Sequence, residues 1–342
     1  MAKHPLAAVL GDINRDLFVR VRHFPKPGSD NPAETSSWAL GGSAANTAVA
    51  LARLDVSSSV IGRIGRDNEG RALLKELVRS GVHTGAVQRD PSRATGICIV
   101  TVTADGERTL IGMRGANCAL QRNGVAEAVA NVRHLHVSGY ALIQPESRRA
   151  ALLALETARK AGAVTSLDFG WQPASSAPEL LRHALRHVSL ALPSAQELRM
   201  ALDERRLSRA ATKARGLGVE QVVVTLGGGG CRVFTDEGTF RVPRFESSIV
   251  NTCGAGDAFN AGYILGVLGG VRPQACAILG NAAGAVVVES ESSHESVSRE
   301  RLARTILRRK EDRQLEPFDE ALSDALSLLS PKTKRKKRRR AR

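Results

Sequence analysis

Short apolar runs alternate with amphipathic stretches through most of the chain. The run Leu6–Leu10 ends at a Gly-Asp pair, and the run Gln221–Leu226 is rich in valine. Short apolar runs separated by helical patterns are typical of parallel strands that are buried on both faces and connected by helices. The pattern therefore predicts an α/β protein with three layers, α/β/α, and a mostly parallel central sheet.

The same pattern predicts the bounds of individual elements. The predicted strands are Leu6–Leu10, Ser57–Ile61, His134–Ser138, Val164–Leu167, Val188–Leu192, Gln221–Leu226, Cys231–Thr235 and Gly238–Val242. The predicted helices include Asn68–Ser80 and Glu146–Ala161, and the chain after Val242 is predicted to be mainly helical.

Two segments break this alternation and predict a second, smaller sheet. Leu17–Phe24 and Thr95–Met113 have the pattern of antiparallel strands, and the second of them contains a hairpin that turns at Asp105-Gly106. A small sheet placed over the ends of the main strands would form a β lid. We expect this lid to comprise residues 17–37 and 95–113, approximately.

The C-terminal part of the chain is predicted to lie outside the main domain. We expect residues 1–314 to form that domain, residues 315–330 an amphipathic helix, and residues 331–342 a disordered tail. The tail holds nine of the 49 Lys and Arg residues and no acid, and like charges in a block repel each other. Because no aromatic residue interleaves these charges, only weak, non-specific binding of polyanions is expected from the tail.

Composition excludes several classes of protein. With 342 residues, of which 42% are hydrophobic, the chain can bury a large core. Its five cysteines form no C-x-x-C pair, which excludes a disulfide framework and favours a reducing cytoplasm. No apolar run reaches the roughly 18 residues that span a bilayer, and the first run is too short for a signal peptide. The prediction is a cytoplasmic protein without a membrane partner.

The strongest chemical signal is the sequence Gly254-Ala255-Gly256-Asp257, which leads into a helical pattern. Free N–H groups and the dipole at a helix N-terminus bind anions such as phosphate, and small residues allow a close approach. Asp257 would take a proton from a hydroxyl that attacks the phosphate, while the N–H groups stabilise the transferred charge. A capping Asp after a glycine loop would give the same pattern, so this motif alone leaves both interpretations open.

A second glycine-rich helix start favours the catalytic interpretation. Gly41 and Gly42 precede a helical pattern whose first turns carry Asn46, an amide that can donate to and accept from a polyol. Together and in this order, the two motifs resemble the ribokinase-like (pfkB) family of carbohydrate kinases, from about residue 6 to about residue 305. The resemblance implies the ribokinase-like fold and a homodimer paired through the lids.

The resemblance also implies a reaction and its cofactors. The γ-phosphoryl group of ATP, with Mg²⁺, would be transferred to a primary hydroxyl of a sugar or sugar acid such as ribose, fructose or 2-keto-3-deoxygluconate. Asp257 would be the general base, and Gly254, Ala255 and Gly256 the anion hole. The acceptor would be bound by Asn14, Asp16, Gly41, Gly42, Asn46 and Glu146. The nucleotide would be bound by Ser194, Thr225, Gly227, Gly230 and Asn281, and Glu197 would arrange the magnesium ion and its waters.

Two positions depart from the motifs of that family. Ser194 replaces the Asn of its N-x-x-E motif, which predicts altered handling of magnesium or phosphate. Asn251 replaces the acid that opens its D-T-x-G-A-G-D motif, which argues against activation by a monovalent cation because one negative ligand is missing. Neither change touches the predicted base.

Two other functions stay open at the level of sequence. A nucleoside kinase of the adenosine type would keep the reaction and change the acceptor. A non-catalytic sugar-binding regulator would use its basic tail on nucleic acid, but ligand sensing alone does not require the base Asp257. A Walker A loop is excluded because the chain contains no Gly-Lys pair.

Other polar residues are given structural interpretations. His134 and His136 lack identifiable further ligands for a metal and are predicted to be ordinary histidines, as are His183 and His187. Asp67 is predicted to be a turn and helix-start acid rather than a catalyst.

Overall fold

The computed structural model describes residues 5–104, 108–290, 296–308 and 313–330. Its strands are β1 (Ala7–Leu10), β2 (Asn14–Arg20), β3 (Thr35–Gly41), β4 (Ser58–Gly65), β5 (Val87–Asp90), β6 (Gly96–Val102), β7 (Arg108–Met113), β8 (His134–Ser138), β9 (Val164–Asp168), β10 (Leu190–Ala191), β11 (Gln221–Thr225), β12 (Cys231–Thr235) and β13 (Gly238–Val242). Its α-helices are α1 (Ser43–Arg53), α2 (Asn68–Arg79), α3 (Val125–Val129), α4 (Pro145–Lys160), α5 (Trp171–Ser176), α6 (Pro178–Leu185), α7 (Ala195–Leu202), α8 (Leu207–Gly216), α9 (Ala255–Gly269), α10 (Pro273–Val288), α11 (Arg299–Leu307) and α12 (Asp319–Leu329).

Nine of these strands form the central sheet, in the order β13-β12-β11-β10-β9-β8-β1-β4-β5. β1 pairs in parallel with β4 on one side and with β8 on the other, whereas β12 and β13 run antiparallel to their neighbours. The predicted mostly parallel sheet is therefore confirmed. Because parallel strands end at the same edge, the residues that follow β1, β8 and β9 lie close together there.

Helices cover both faces of the central sheet and enclose two apolar cores. In β1, the side chains of Ala7 and Val9 pack into one core, and those of Ala8 and Leu10 pack into the other. A strand that is buried on both faces needs an uninterrupted apolar run, which explains why Leu6–Leu10 shows no polar alternation. Helices α1, α9 and α10 lie against the first core, and α4 and α7 lie against the second.

The remaining four strands form the predicted lid, in the order β3-β2-β6-β7. β6 and β7 form the predicted hairpin, and its predicted turn at Asp105-Gly106 lies outside the described residues. The lid differs from the prediction in its details. The strand predicted at Leu17–Phe24 is β2, which runs from Asn14 to Arg20 and lies antiparallel to β3, as expected, but parallel to β6. β3 was not predicted, because its first four residues are exposed and carry little apolar signal.

Asp67 caps α2 and also holds the residue that precedes lid strand β6. The side chain of Asp67 accepts hydrogen bonds from Gly70 N at 2.8 Å and from Thr95 N at 2.7 Å. These bonds hold its pKa below the usual value against the opposing effect of burial. Thr95 directly precedes β6, so one carboxylate joins the start of α2 to the start of a lid strand. The predicted structural role of Asp67 is confirmed.

The segment after α11 packs back onto the domain. A 3-10 helix at Arg313–Phe318 leads into α12, whose residues Leu322 and Leu329 are buried in the same core as α9 and α10. Arg272 pairs with Glu320 and Asp324, which ties α12 to the start of α10. The tail at residues 331–342 lies outside the described residues, and its predicted disorder stays a prediction. Across the described ranges, no helix is long and apolar enough to cross a bilayer.

A buried pair of histidines lies on the central sheet. The hydroxyl of Ser166 on β9 is 2.7 Å from Nε2 of His134 and 2.8 Å from Nδ1 of His136. Burial lowers the pKa of each imidazole to about 3, so both are neutral at physiological pH. No group of three or more potential metal ligands occurs among the described residues, and the interpretation of His134 and His136 as ordinary histidines stays a prediction.

The buried imidazoles predict a specific loss of stability in acid. The unfolded chain takes up protons on His134 and His136 below about pH 6.5, whereas the folded chain does not until far lower pH. Their contribution to the free energy of unfolding therefore falls with decreasing pH, by about 2.7 kcal/mol per pH unit for two protons between about pH 5.5 and 4. Replacing both histidines by Leu, together with Ser166→Ala, is expected to remove this slope.

Denaturant unfolding at several pH values measures the effect. The matched control is His23→Gln, which alters an exposed histidine and should leave the slope of the wild type unchanged. Parallel curves of stability against pH for the wild type and the triple variant would contradict the assignment.

Candidate active site

The ends of the central strands and the lid bring several carboxylates together. Asp16 lies on the lid strand β2, Asp168 ends β9, Glu197 lies in the first turn of α7, and Asp257 lies in the first turn of α9. Burial and the negative charge of Asp257 raise the pKa of Asp16 to about 7. Burial, followed by the charges of Glu197 and Asp257, raises the pKa of Asp168 well above its usual value. The charge of Asp257 therefore affects the ionisation of Asp16, although the two residues lie more than 200 positions apart in the chain.

Asp257 is buried, and its side chain is bonded to a residue of another helix. Helix α9 is capped by Gly254, whose φ of 76° is in the left-handed region, and no side chain caps this end. The side chain of Asp257 instead accepts a hydrogen bond of 2.9 Å from Nδ2 of Asn46. Burial raises the pKa of Asp257 to about 6, against the lowering effects of hydrogen bonds from Asn46 and Ser43 and of the charge of Arg108. The interpretation of Asp257 as a capping residue is therefore not supported.

Gly41 and Gly42 allow the lid and α1 to approach closely. A Cβ at Gly41 would lie 2.0 Å from Cγ of Asp16, so only glycine leaves room for that carboxylate. Gly42 has a φ of 89°, and a Cβ there would lie 2.3 Å from the carbonyl oxygen of Asp12. These two positions bring Asp16 against the N-terminus of α1, close to Asn46. Gly41 and Gly42 are therefore required for steric reasons, since a Cβ at either position would overlap a neighbouring residue.

The end of β1 is joined to the end of the lid hairpin by a polar network. Nε and Nη2 of Arg114 donate to the two carboxylate oxygens of Asp12 at 2.9 and 2.7 Å. Asn117 accepts from Ile13 N at 2.9 Å and donates to Oδ1 of Asn14 at 2.8 Å. Bidentate pairing of this kind fixes orientation as well as charge. Asn117 therefore holds the side chain of Asn14, the first residue of the strand that carries Asp16.

Several polar atoms around this edge are buried without a partner among the described residues. They are Oδ1 of Asp16, Oδ1 of Asn46, Oγ of Ser138 and Nη1 of Arg114. Ser138 ends β8 and lies against Gly11, where a Cβ would be 2.8 Å from that of Ser138. An unsatisfied buried polar atom is costly unless a ligand or water completes it. Two of these atoms, on Asp16 and Asn46, belong to residues predicted to bind the acceptor.

The predicted nucleotide side is built on the other half of the sheet. Ser194 and Glu197 form a capping box, in which Ser194 N donates to Glu197 Oε2 at 2.8 Å and Glu197 N donates to Ser194 Oγ at 3.3 Å. Thr225, at the end of β11, pairs with Ser194 through an isolated parallel β-bridge of the backbone. Burial raises the pKa of Glu197 despite these hydrogen bonds. Ser194, Glu197 and Thr225 are thus brought together.

The glycine turn after β11 has the backbone that only glycine adopts easily. Gly227 and Gly230 have φ values of 53° and 83°, and a Cβ at Gly230 would lie 2.2 Å from the carbonyl oxygen of Val242. Asn281 is buried on α10, where its Nδ2 donates to the carbonyl oxygens of Val242 and Pro243 at 3.2 and 2.9 Å. Asn281 therefore fixes the chain after β13, and its predicted nucleotide contact stays a prediction.

Two further residues singled out from the sequence are Glu146 and Asn251. Glu146 lies in the first turn of α4, is exposed, and forms an ion pair of 3.5 Å with Arg149 on the same helix. Its predicted contact with the acceptor stays a prediction. Asn251 caps the turn before α9 by accepting a hydrogen bond of 2.8 Å from Cys253 N.

The acidic residues of the site fit the requirements of Mg²⁺. After burial, the charge of Glu197 contributes to raising the pKa of Asp168, and a divalent cation would relieve that repulsion. Magnesium prefers oxygen ligands and is usually held by one or two carboxylates together with substrate phosphates and water.

Comparisons with known proteins agree with this geometry. The family model described as "pfkB family carbohydrate kinase" matches residues 5–300. A ribokinase from Haemophilus influenzae is 28% identical over 84% of this chain and 94% of its own. A 5-dehydro-2-deoxygluconokinase from Geobacillus thermodenitrificans is 29% identical over 75% of this chain and 81% of its own. The structure of Arabidopsis thaliana ribokinase complexed with ribose and ATP superposes with a TM-score of 0.77, at 26% identity, over 89% of this chain and 99% of that one.

The chain belongs to the pfkB family of carbohydrate kinases, which are phosphotransferases. Its fold is the ribokinase fold, as predicted. The family was thus correctly inferred from two short motifs.

The structure also places residues at the site that the sequence analysis did not select. They are Ser43, Arg108, Arg114 and Asp168. Asp168 directly follows the predicted strand Val164–Leu167, so the rule that sites lie beyond strand ends could have selected it. Arg108 and Arg114 had no such signal, because their positions depend on how the lid folds over the sheet.

The close contact between Gly41 and Asp16 predicts a defect from adding one methyl group. Gly41→Ala should displace the carboxylate of Asp16 and raise the KM for the acceptor by about tenfold or more, since a hydrogen-bonding site penalises lost polar contacts. Gly216→Ala is the matched control, because a Cβ at Gly216 meets nothing within 4 Å. Steady-state kinetics with an acceptor titration measures both. An unchanged KM in Gly41→Ala would contradict the placement of Asp16.

Proposed function

We propose that this protein transfers the γ-phosphoryl group of ATP to a primary hydroxyl of a sugar or sugar acid. The observation that carries the proposal is the position of Asp257. Its carboxylate lies at the N-terminus of α9, bonded to Asn46 and within the electrostatic reach of Asp16. This arrangement places a base between an anion-binding helix end and a group of unpartnered polar atoms.

The proposed step assigns each atom a defined partner. The acceptor hydroxyl loses its proton to Asp257 as its oxygen forms a bond to the γ-phosphorus. The bond between that phosphorus and the β–γ bridging oxygen breaks, and ADP leaves with the bonding electrons. Backbone N–H groups of Gly254–Gly256 stabilise the negative charge of the group in transfer.

The other predicted residues have supporting roles in this proposal. Asp16, Asn14 and Asn46 orient the acceptor, and the turn Gly227–Gly230 holds the nucleotide. Glu197 and Asp168 would hold Mg²⁺, which would neutralise phosphate charge when bound. Closure of the lid excludes water, which otherwise competes with the sugar as acceptor.

The family relatives support a sugar or sugar acid as the acceptor. Curated relatives include a ribokinase and a 5-dehydro-2-deoxygluconokinase, and the Arabidopsis ribokinase was solved with ribose and ATP.

For the domain organisation, we retain residues 1–314 as the kinase domain, with α12 packed on it.

A homodimer paired through the lids is also part of this proposal. Trp38 on β3 and Leu110, Ile111 and Met113 on β7 are each about half exposed. Apolar side chains on both edge strands of a small sheet are a suitable interface for a second copy.

An ATP-coupled assay with ribose, fructose, 2-keto-3-deoxygluconate and adenosine tests the proposal. Turnover with one of the sugars supports it and names the acceptor. Turnover with adenosine alone would assign the nucleoside kinase instead. Lack of turnover with every acceptor would favour a sugar-binding regulator.

The role of Asp257 predicts a large effect on rate. Asp257→Asn is expected to lower kcat by about 10²-fold or more while ATP affinity is retained, because general-base catalysis typically contributes this much. A near-normal rate in this variant would assign the proton to another group.

The raised pKa values predict how activity depends on pH. Asp257 must be ionised to accept a proton, and its pKa is raised to about 6. Asp16, which is proposed to orient the acceptor, has a pKa raised to about 7. The value of kcat/KM should therefore fall as the pH is lowered through 7 and 6, rather than near the usual aspartate pKa of 3.8. An initial-rate profile from pH 5 to 8 measures this. A profile that is flat down to pH 5 would contradict the assignment.

A further inference from the structure

The segment that follows β13 lies directly against the glycine turn Gly227–Gly230. A Cβ at Gly230 would lie 2.2 Å from the carbonyl oxygen of Val242 and 2.7 Å from the backbone nitrogen of Arg244. A Cβ at Gly228 would lie 3.5 Å from Nη1 of Arg244, which is an ordinary van der Waals distance. Both the backbone and the guanidinium of Arg244 are therefore next to the turn that is proposed to hold the nucleotide.

Hydrogen bonds hold both the backbone before Arg244 and the turn that it lies against. The buried Asn281 donates through Nδ2 to the carbonyl oxygens of the two residues that precede Arg244, at 3.2 and 2.9 Å. Nε and Nη2 of Arg241 both donate to the carbonyl oxygen of Gly229, at 3.1 and 2.9 Å. A side chain that leaves a fixed backbone loses less conformational entropy when it binds a ligand. Arg244 is thus well placed to bind one at the turn.

The charge of Arg244 is available for a ligand. The segment from the start of β12 to Arg244 carries three arginines. Arg232 lies over the ring of Phe234, with 5.3 Å between the guanidinium carbon and the ring centroid, and Arg241 is bonded to the turn. Arg244 is exposed, and no acid pairs with it within the described ranges. Its guanidinium stays protonated at all relevant pH values.

The residues predicted to contact the nucleotide supply no positive charge. All of them are uncharged, namely Ser194, Thr225, Gly227, Gly230 and Asn281. Glu197, next to this group, is an acid whose charge contributes to raising the pKa of Asp168. The phosphates of ATP bring further negative charge to this region. A guanidinium suits them, because its planar fork of N–H donors matches two phosphate oxygens.

We propose that Arg244 binds a phosphate group of the nucleotide other than the one that is transferred. This inference rests on the proposed function only in placing the nucleotide on the glycine turn. The transferred group is placed at the N-terminus of α9, whereas Arg244 lies beside the turn after β11. Arg244 therefore contacts a phosphate that remains in ADP. It donates hydrogen bonds and supplies charge, and it exchanges no proton.

Isothermal titration calorimetry with the full chain, in the absence of any acceptor, tests this contact. The titrants are ATP and ADP with Mg²⁺, and inorganic tripolyphosphate, which has no base or ribose and is measured by displacement of ADP. Arg244→Gln removes the charge, and Arg244→Lys keeps the charge but loses the fork of donors. Arg79→Gln is the matched control, because Arg79 is exposed on α2 and donates to the carbonyl oxygen of Lys75 in its own helix.

The expected results are distinct for each variant. Arg244→Gln should raise the Kd for ATP, ADP and tripolyphosphate by about tenfold each, the usual effect of losing a charge-assisted hydrogen bond. Arg244→Lys should recover part of this loss, and Arg79→Gln should match the wild type. The Kd of the wild type should also rise more steeply with salt than that of Arg244→Gln, since salt screens one ionic contact more.

Three outcomes would overturn the inference. An unchanged Kd for ATP and ADP in Arg244→Gln would show that the guanidinium does not touch the nucleotide. A loss that spares tripolyphosphate would assign the contact to the base or ribose, and a loss that spares ADP would assign it to the transferred group.

The same titrations separate this inference from the proposed function. If the wild type binds ATP through Arg244 but phosphorylates no acceptor, the proposed function is wrong and the contact stands. If the wild type binds no nucleotide, both are wrong.

Discussion

The site depends on the unfavourable placement of several carboxylates within reach of one another. Burial raises the pKa of Asp16, Asp168 and Asp257, and the negative charge of Asp257 adds to the rise at Asp16 and Asp168. The surrounding fold offsets the repulsion with specific contacts. Asn46 donates to Asp257, Arg108 supplies a positive charge, and Gly41 leaves room for Asp16. The pKa of Asp257 is about 6 as a result, which suits the proton transfer from an alcohol proposed above.

Much of the fold could be predicted from the sequence because its core is simple. Strands buried on both faces need uninterrupted apolar runs, and the runs at β1 and β11 gave that signal. The lid was harder to predict. Its strand β3 begins with four exposed residues, and the parallel pairing of β2 with β6 joins segments separated by more than 80 residues. Exposed strands and distant pairings leave little trace in a local pattern.

The site shows the same division between local and distant information. The sequence alone could identify Gly41, Gly42, Gly254 and Asp257, because a glycine-rich helix start is recognisable from a few adjacent residues. Arg108 and Arg114 could not, because an arginine in a β-hairpin gives no indication of the loop it will reach. The unpartnered polar atoms of Asn46 and Ser138 were also hidden, since only the folded chain shows which groups lack a partner. Local motifs thus identified the family, and only the folded lid shows that the charge of Arg108 acts on Asp257.

The direct test of this account is the titration of Asp257 itself. Carbon-13 NMR of carboxyl-labelled aspartate follows each carboxylate with pH, and Asp257→Asn identifies the signal. The account predicts a midpoint near pH 6 for Asp257, well above the usual value. A midpoint near 3.8 would show a well-solvated, ordinary carboxylate and would contradict the claim that the fold prepares Asp257 as a base.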